Sequence, residues 1–460
     1  MYFVYSVLLA VYCLAALPRA AYAAWRRGLP LGSLGERLGR LPDAVNPDRR
    51  PSIWIHAVSV GEALAARPLL QAIRAAYPHH RLVMSTTTVT GQRVARAFGG
   101  QVDAVCYAPL DFAPCVTRAL DRISPEVLAV VDTELWPNLL RACRRRGVRT
   151  MMVNGRLSDR SYRGYRLARV FMRRVLADVD GICVQTEAWG RRFVAVGAPA
   201  GRVTVTGSLK FDAAAVPAAG AGSHTAPAVS AAAEAAGNPL LAAFDFARGR
   251  PVLIAASTLR GEEEPVLQAF GRVRREIADA LLVIAPRHPE RFTEVRELAE
   301  RSGYGTMMRS ALEPHGRPDV EAVILDSIGE LARLFEIASA VFVGGSLVPA
   351  GGHNVLEPAA FGKPIVVGPH MENFAEVMQT FLANGAAVQV RDARGLERTL
   401  AELMRDDARR ERLGAAACAL VEANRGATRR TMAVMAGLLP PENGSGGSVE
   451  RGVSGEAGAC

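Results

Sequence analysis

A chain of 460 residues, half of them apolar, is too long for one ordinary core and has enough apolar sequence for two. Its 55 Lys+Arg against 45 Asp+Glu give a formal charge of +10, which calls for an anionic partner: nucleic acid, phospholipid head groups or a phosphorylated substrate. The seven cysteines (Cys13, Cys106, Cys115, Cys143, Cys183, Cys418 and Cys460) are scattered without a pairing pattern, which argues against a disulfide framework or zinc site and favours reduced thiols in the cytosol. Only Lys210 and Lys363 are lysines among the 55 basic residues. Either a compact ammonium is needed at those two places or two lysines survive by chance.

Residues 1–18 carry no charge, and Arg19, Arg26 and Arg27 follow. Such a run is at the short end of a membrane-spanning helix, which needs about 17–25 residues. An export signal places its positive charge ahead of the apolar core, and none stands there, although the Ala-rich sequence behind keeps export open. The arginines put the remaining chain on the cytoplasmic side. The expectation is an anchor over residues 1–20, either single-pass or a re-entrant or interfacial helix.

Short apolar runs then alternate with helical stretches. Strands are predicted at 53–58, 82–85, 127–131, 150–153, 182–184 and 203–206. The segment 63–76 sets Ala66, Leu69, Leu70 and Ile73 on one helical face. This alternation predicts a parallel sheet covered on both sides, forming a first domain over 21–212. Residues 213–249, rich in Ala, Pro and Gly, read as a connection containing some helix. A second series at 252–255, 281–285, 323–325, 341–343 and 365–367, followed by helices, predicts a second domain over 250–440. The Gly/Ser-rich tail 441–460 is expected to be disordered.

Candidate chemistry clusters where strands end. In HAVSVGEALAARPLL (from His56), Ser59 and Glu62 form a capping box before an apolar run. Glu62 also stands at the carboxyl end of a strand, where open α/β sheets bind ligands, so it reads as cap or base. The helix N-terminus is expected to keep this carboxylate ionised at neutral pH though only weakly basic. In VDTELWPNLL, Asp132 and Glu134 follow another apolar strand, and with no His, Cys or third acid nearby a metal site is weakly supported. In NGRLSDRSYRGYRLARVFMRR (from Asn154), Leu167, Val170, Phe171 and Val175 make an apolar stripe among arginines, either a solvated helix face or a surface for anionic lipid. TGSLKFD places Lys210 just before the connection. APRHPERF puts Arg287 and His288 directly after a strand, suited to a phosphate or to a surface turn. FVGGSLVPAGGHNVLEPAAFGKPIVVGP brings glycine-rich turns and a helix start near Asn354, a phosphate or nucleotide site by pattern.

Taken together, HAVSVGE, TELWPNLL, RLSDRSYRGY, GSLKFD, IAAST with GEEE, APRHPERF and GGSLVPAGGHNVLEPAAFGKPIVVGPHMENFAEV resemble the bacterial 3-deoxy-D-manno-octulosonic acid (Kdo) transferase family, in order from about residue 51 to 377. The resemblance implies a GT-B fold: two Rossmann-like domains facing a central cleft, acceptor domain first, without a cofactor or obligatory metal. It implies transfer of Kdo from CMP-Kdo to a lipid A precursor (lipid IVA) with inversion, beside inner-membrane phospholipid and with no nucleic acid partner. By resemblance Glu62 is the proton acceptor, and Asp132 and Lys210 stabilise the transition state. Pro286, Arg287, Ile328, Gly329, Glu330, Asn354, Val355, Leu356 and Glu357 match the cytidine monophosphate (CMP) contacts. Three departures stand out: Asp132 replaces the family's usual Glu, Leu259 its usual His, and GSLK its commoner GNLK.

Rival readings are another GT-B transferase using a uridine-diphosphate sugar, a nicotinamide-dependent enzyme and a silent membrane scaffold. No G-x-G-x-x-G follows the first strand, which counts against the second. Glu62, Lys210 and Arg287 count against the third.

Overall fold

Runs of Val, Ile, Leu and Ala that alternate with amphipathic helices have nowhere to hide except in parallel sheets buried on both faces. The computed structural model builds two such sheets and describes residues 1–27, 32–214 and 239–439. Most of the 213–249 connection and everything after residue 439, including the 441–460 tail, lie outside the described residues.

The first sheet comprises β1 (Ser52–His56), β2 (Arg81–Thr86), β3 (Ala104–Tyr107), β4 (Pro125–Val131), β5 (Arg149–Gly155), β6 (Gly181–Val184) and β7 (Val203–Val205). Its order is β3-β2-β1-β4-β5-β6-β7, all parallel. The helix Val60–Ala76 buries Ala66, Leu69, Leu70 and Ile73 against the sheet, the face the periodicity predicts. Strand β3 has no counterpart in the sequence reading. Its AVCY is short and only its last two residues are buried, so its apolar signal is weak.

The second sheet comprises β8 (Val252–Thr258), β9 (Leu281–Pro286), β10 (Thr306–Met308), β11 (Ala322–Ile324), β12 (Ala340–Val343), β13 (Ile365–Val367) and β14 (Val388–Gln389). Its order is β10-β11-β9-β8-β12-β13-β14. Edge strands β10 and β14, two or three residues long and unburied, escape a search for apolar runs. Each sheet reverses its winding once, between β1 and β4 in the first and between β8 and β12 in the second. Ligands of doubly wound sheets bind at the carboxyl ends of such strand pairs.

The chain divides into Met1–Ala213 with Arg425–Cys460, and Ala214–Asn424. The expectation of one second domain over 250–440 therefore gives way at its end. The helix Ala427–Leu438 joins the first unit, burying Ala427 and Met435 in that core. The Asp212 carboxylate accepts from the Gly426 and Thr428 amides (2.8 and 2.6 Å), and Arg430 Nε donates to the Thr206 carbonyl (2.7 Å).

The N-terminal run forms the helix Tyr2–Arg27. Among the described residues no helix is long and apolar enough to cross a membrane. One side of the helix is tied to the first unit. Tyr2 donates to Asp178 (2.6 Å), Tyr5 donates to Asp111 (2.9 Å), and both rings pack on Phe171. The other side leaves Phe3, Val4, Leu8, Val11, Tyr12 and Leu14 exposed. The expected stripe at Leu167, Val170, Phe171 and Val175 does not survive as one face. The helix breaks at Ala168 into Asp159–Leu167 and Arg169–Leu176, burying Val175 and leaving Leu167 93% and Val170 67% exposed.

Candidate active site

In the first unit the loops after β1 and β4 flank the winding reversal, and both carry carboxylates. The Ser59 hydroxyl caps the helix Val60–Ala76, accepting from the Glu62 amide at 3.4 Å and donating to Glu62 Oε1 at 2.8 Å. Glu62 Oε2 accepts from the Val58 amide at 2.7 Å. The capping box is thus real, with Val58 rather than Ser59 as the amide the carboxylate reaches.

The expectation that Glu62 is only weakly basic is corrected. Burial raises its pKa, the bonds from Ser59 and Val58 oppose the rise without overcoming it, and the negative charges of Asp132 and Glu134 add to it. A carboxylate raised in this way is a stronger base than a free one, as proton abstraction requires.

Asp132 sits just past β4 in the left-handed region (φ 59°), and Asn154 near the end of β5 does the same (φ 62°). Asp and Asn tolerate this conformation better than other side chains with a Cβ. Asn154 Nδ2 donates to Asp132 Oδ1 at 2.7 Å, while Asn154 Oδ1 accepts from the Leu209 amide at 3.1 Å. One buried amide therefore connects Asp132 to the residue preceding Lys210. Arg156 approaches the other Asp132 oxygen at 3.4 Å. Glu134 accepts from the Trp136 indole at 3.3 Å, and burial with the Asp132 charge raises its pKa. Asn154 and Arg156 are site neighbours to which the sequence gave no role, and Glu134 one it offered only as a weak metal ligand. The sequence placed each at a strand end, but only the register of β4 against β5 shows that they meet. Among the described residues no group of three His, Cys, Asp or Glu is arranged to hold a metal.

In the second unit Pro286 ends β9 in the core, and Arg287 follows it exposed to solvent. The Arg287 amide donates to the Thr258 carbonyl at 3.0 Å. The positive charge of Arg287 acts on both His353 and Glu357. Burial, with Arg287 and His288 nearby, pushes the His353 imidazole down to about 4, so it is neutral at pH 7. Burial raises the Glu357 pKa, opposed by an Asn354 hydrogen bond and by Arg287.

The helix start expected near Asn354 is the five-residue helix Leu356–Ala360 with Val355 buried before it. Its end is not wholly open to an anion: Asn354 Oδ1 takes the Leu356 amide (3.0 Å), and Asn354 Nδ2 orients Glu357 (2.9 Å). Ile328, Gly329 and Glu330 lie in the loop after β11, with Ile328 83% exposed and Gly329 at φ 91°. Glu330 pairs with Arg309 (3.2 Å) and Ser327. Lys363, the second lysine, donates to the Glu336 carbonyl at 2.9 Å, a structural bond.

Comparison with known proteins covers both units. The family model for 3-deoxy-D-manno-octulosonic-acid transferase (kdotransferase) matches residues 32–213, and that for glycosyl transferases group 1 matches residues 247–419. The chain is 34% identical over 406 residues to a 3-deoxy-D-manno-octulosonic acid transferase of Haemophilus influenzae, covering 87% of this chain and 90% of the relative. It is 34% identical over 423 residues to the one of Bordetella pertussis, covering 89% and 93%. The UDP-GlcNAc 2-epimerase from Neisseria meningitidis shares the fold at 13% identity, with a TM-score of 0.56 over 84% of this chain and 99% of that one. With a matching N-terminal model, relatives matched over nearly their full length and two doubly wound units, the chain belongs to the 3-deoxy-D-manno-octulosonic acid transferase family of glycosyltransferases.

Proposed function

We propose that this Kdo transferase of lipopolysaccharide biosynthesis moves Kdo from CMP-Kdo to a hydroxyl of a phosphorylated lipid A precursor (lipid IVA), inverting the anomeric carbon. The observation that carries the reading is the half-buried Glu62 carboxylate with its raised pKa, at the carboxyl end of β1 beside Asp132. Glu62 takes the acceptor proton as the hydroxyl oxygen bonds to the anomeric carbon, while the bond to CMP breaks on the opposite face. Asp132 and Lys210 stabilise the charge that develops around the transferring sugar. Arg287, with Asn354, Val355, Leu356 and Glu357, and with Ile328, Gly329 and Glu330, takes the departing CMP.

The reading extends to location. The exposed row Phe3, Leu8, Val11 and Leu14, with Leu167 and Val170 set among arginines, fits an interfacial attachment to the cytoplasmic face of an anionic inner membrane. Attachment would keep the enzyme beside its lipid acceptor.

Competition tests the donor. CMP is expected to inhibit transfer and to bind in calorimetry, and UDP is not. Tight UDP binding without CMP binding would instead make this a transferase using a uridine-diphosphate sugar.

A further inference from the structure

Glu262 is a fully buried carboxylate that the proposed chemistry does not use. It stands at the N-cap of the helix Glu263–Glu276, yet its side chain does not cap that helix. Among the described residues no Arg, Lys or His forms an ion pair with it. Four backbone amides hold it instead. Oε2 accepts from Leu259 (2.9 Å) and Gly345 (2.7 Å), and Oε1 from Ser346 (2.9 Å) and Leu347 (2.8 Å).

These amides belong to the loops that follow β8 and β12, the neighbouring strands at which the second sheet reverses its winding. Successive amides converging there make a ready anion site in a doubly wound domain. Here the protein's own carboxylate occupies it. The fit is close: a Cβ on Gly344 would lie 2.9 Å from Glu262 Oε2 and 2.6 Å from the Ser257 carbonyl oxygen.

From this anion two chains of contact run outward. Leu259 follows Thr258, whose carbonyl accepts from the Arg287 amide. Gly345 accepts from the Gly352 amide at 2.8 Å and packs under the His353 ring, so that a Cβ there would lie 2.9 Å from it. Asn354 and Glu357 follow directly. Arg287 and the segment from His353 to Glu357 come from different strands, and Glu262 is bonded to the loop supporting each.

We infer that Glu262 is the positioning residue of the donor half-site: its carboxylate stands in for a ligand anion between the β8 and β12 loops and thereby fixes Arg287 against the segment from His353 to Glu357. The inference rests on the reading that the second unit takes the donor. It also requires that the donor phosphate not use the Gly345, Ser346 and Leu347 amides, which are already filled.

The test uses the full-length protein and CMP as probe, with Glu262→Gln and Arg287→Ala compared by calorimetry. Gln presents an amide N–H₂ to backbone donors, so the loops shift relative to each other. Loss of alignment between Arg287 and the segment from His353 to Glu357 forfeits a charge-assisted phosphate contact, so the CMP Kd should rise roughly 10- to 100-fold and the KM for CMP-Kdo with it, while the acceptor KM stays put. A merely structural Glu262 would lower the melting temperature and leave CMP affinity of the folded protein unchanged.

If Glu262→Gln binds CMP normally while Arg287→Ala does not, the inference is wrong and the donor reading stands. If neither variant alters CMP binding, the donor reading fails and takes the inference with it. Should Glu262→Gln not fold, hydrogen exchange on the wild-type protein decides. The Gly345, Ser346 and Leu347 amides should exchange slowly before CMP is added and no slower afterwards. Protection that appears only with CMP would overturn the inference.

Discussion

Replacing Glu62 by Gln separates the two roles that a capping box at a strand end can hold. Wild-type Glu62 accepts from the Val58 amide at 2.7 Å and from the Ser59 hydroxyl at 2.8 Å. Gln keeps one acceptor for Val58, and its amide nitrogen can donate to a reoriented Ser59 hydroxyl. The charged bonds are worth about 1.5–3 kcal/mol each and neutral ones about 0.5–1.5, so some hydrogen-bond strength is lost. Against that, the variant removes a carboxylate penalised by burial and by the charges of Asp132 and Glu134. These contributions offset, and the fold should keep its stability within about 1 kcal/mol, as urea unfolding would measure.

Linkage gives the sign. The folded-state pKa of Glu62 is raised, so its stabilising contribution is complete below the ordinary value of 4.5 and fades as pH rises through the folded value. The Gln variant should lack that dependence. Transfer behaves the opposite way, because the base must be ionised. The wild-type rate should fall as pH drops through a pKa above 4.5, and that limb should vanish with Gln. At neutral pH, initial rates of CMP release should drop by roughly two to four orders of magnitude. A folded Glu62→Gln enzyme with near-normal turnover would make Glu62 only a helix cap and refute the mechanism.

If Arg287 holds the donor phosphate as proposed, Arg287→Ala removes a charge-assisted contact worth about 1.5–3 kcal/mol, and CMP affinity in calorimetry should fall by about one to two decades. Acceptor KM should not move. Asn154→Ala loses the bonds to Asp132 and the Leu209 amide and sets Ala at φ 62°, so stability should drop by about 2–4 kcal/mol and kcat should fall more than either KM. An unchanged kcat would remove Asn154 from the site. Deleting residues 1–17 would also strip Tyr2 and Tyr5 from the first unit, so a cleaner probe is Leu8→Glu with Val11→Glu on the exposed side. Flotation with anionic vesicles should lose this variant and keep CMP binding. Retained flotation would argue against an interfacial helix.

Much of the fold is legible because long apolar strands such as VLAVV and LLVIA have no soluble alternative to a doubly covered sheet. What escaped was short or depended on three-dimensional company. Strands β3, β10 and β14 carry too few buried residues to stand out. The return of Ala427–Leu438 to the first unit rests on Asp212, more than two hundred residues earlier in the chain. Glu62, Asp132 and Arg287 could be singled out because each follows an apolar strand. The raised pKa of Glu62 could not, since it comes from burial and from two carboxylates on another strand's loop. Nor could Glu262, three of whose four amide partners lie some eighty residues away.

The central claim is tested most directly by identifying the product. Purified enzyme incubated with CMP-Kdo and a tetra-acylated, bis-phosphorylated lipid A precursor should release CMP and give a lipid whose mass has risen by whole Kdo residues. Its new glycosidic bond should carry the anomeric configuration opposite to that of the donor by NMR. A lipid of unchanged mass from enzyme that binds CMP-Kdo, or a product with the donor's configuration, would contradict the account.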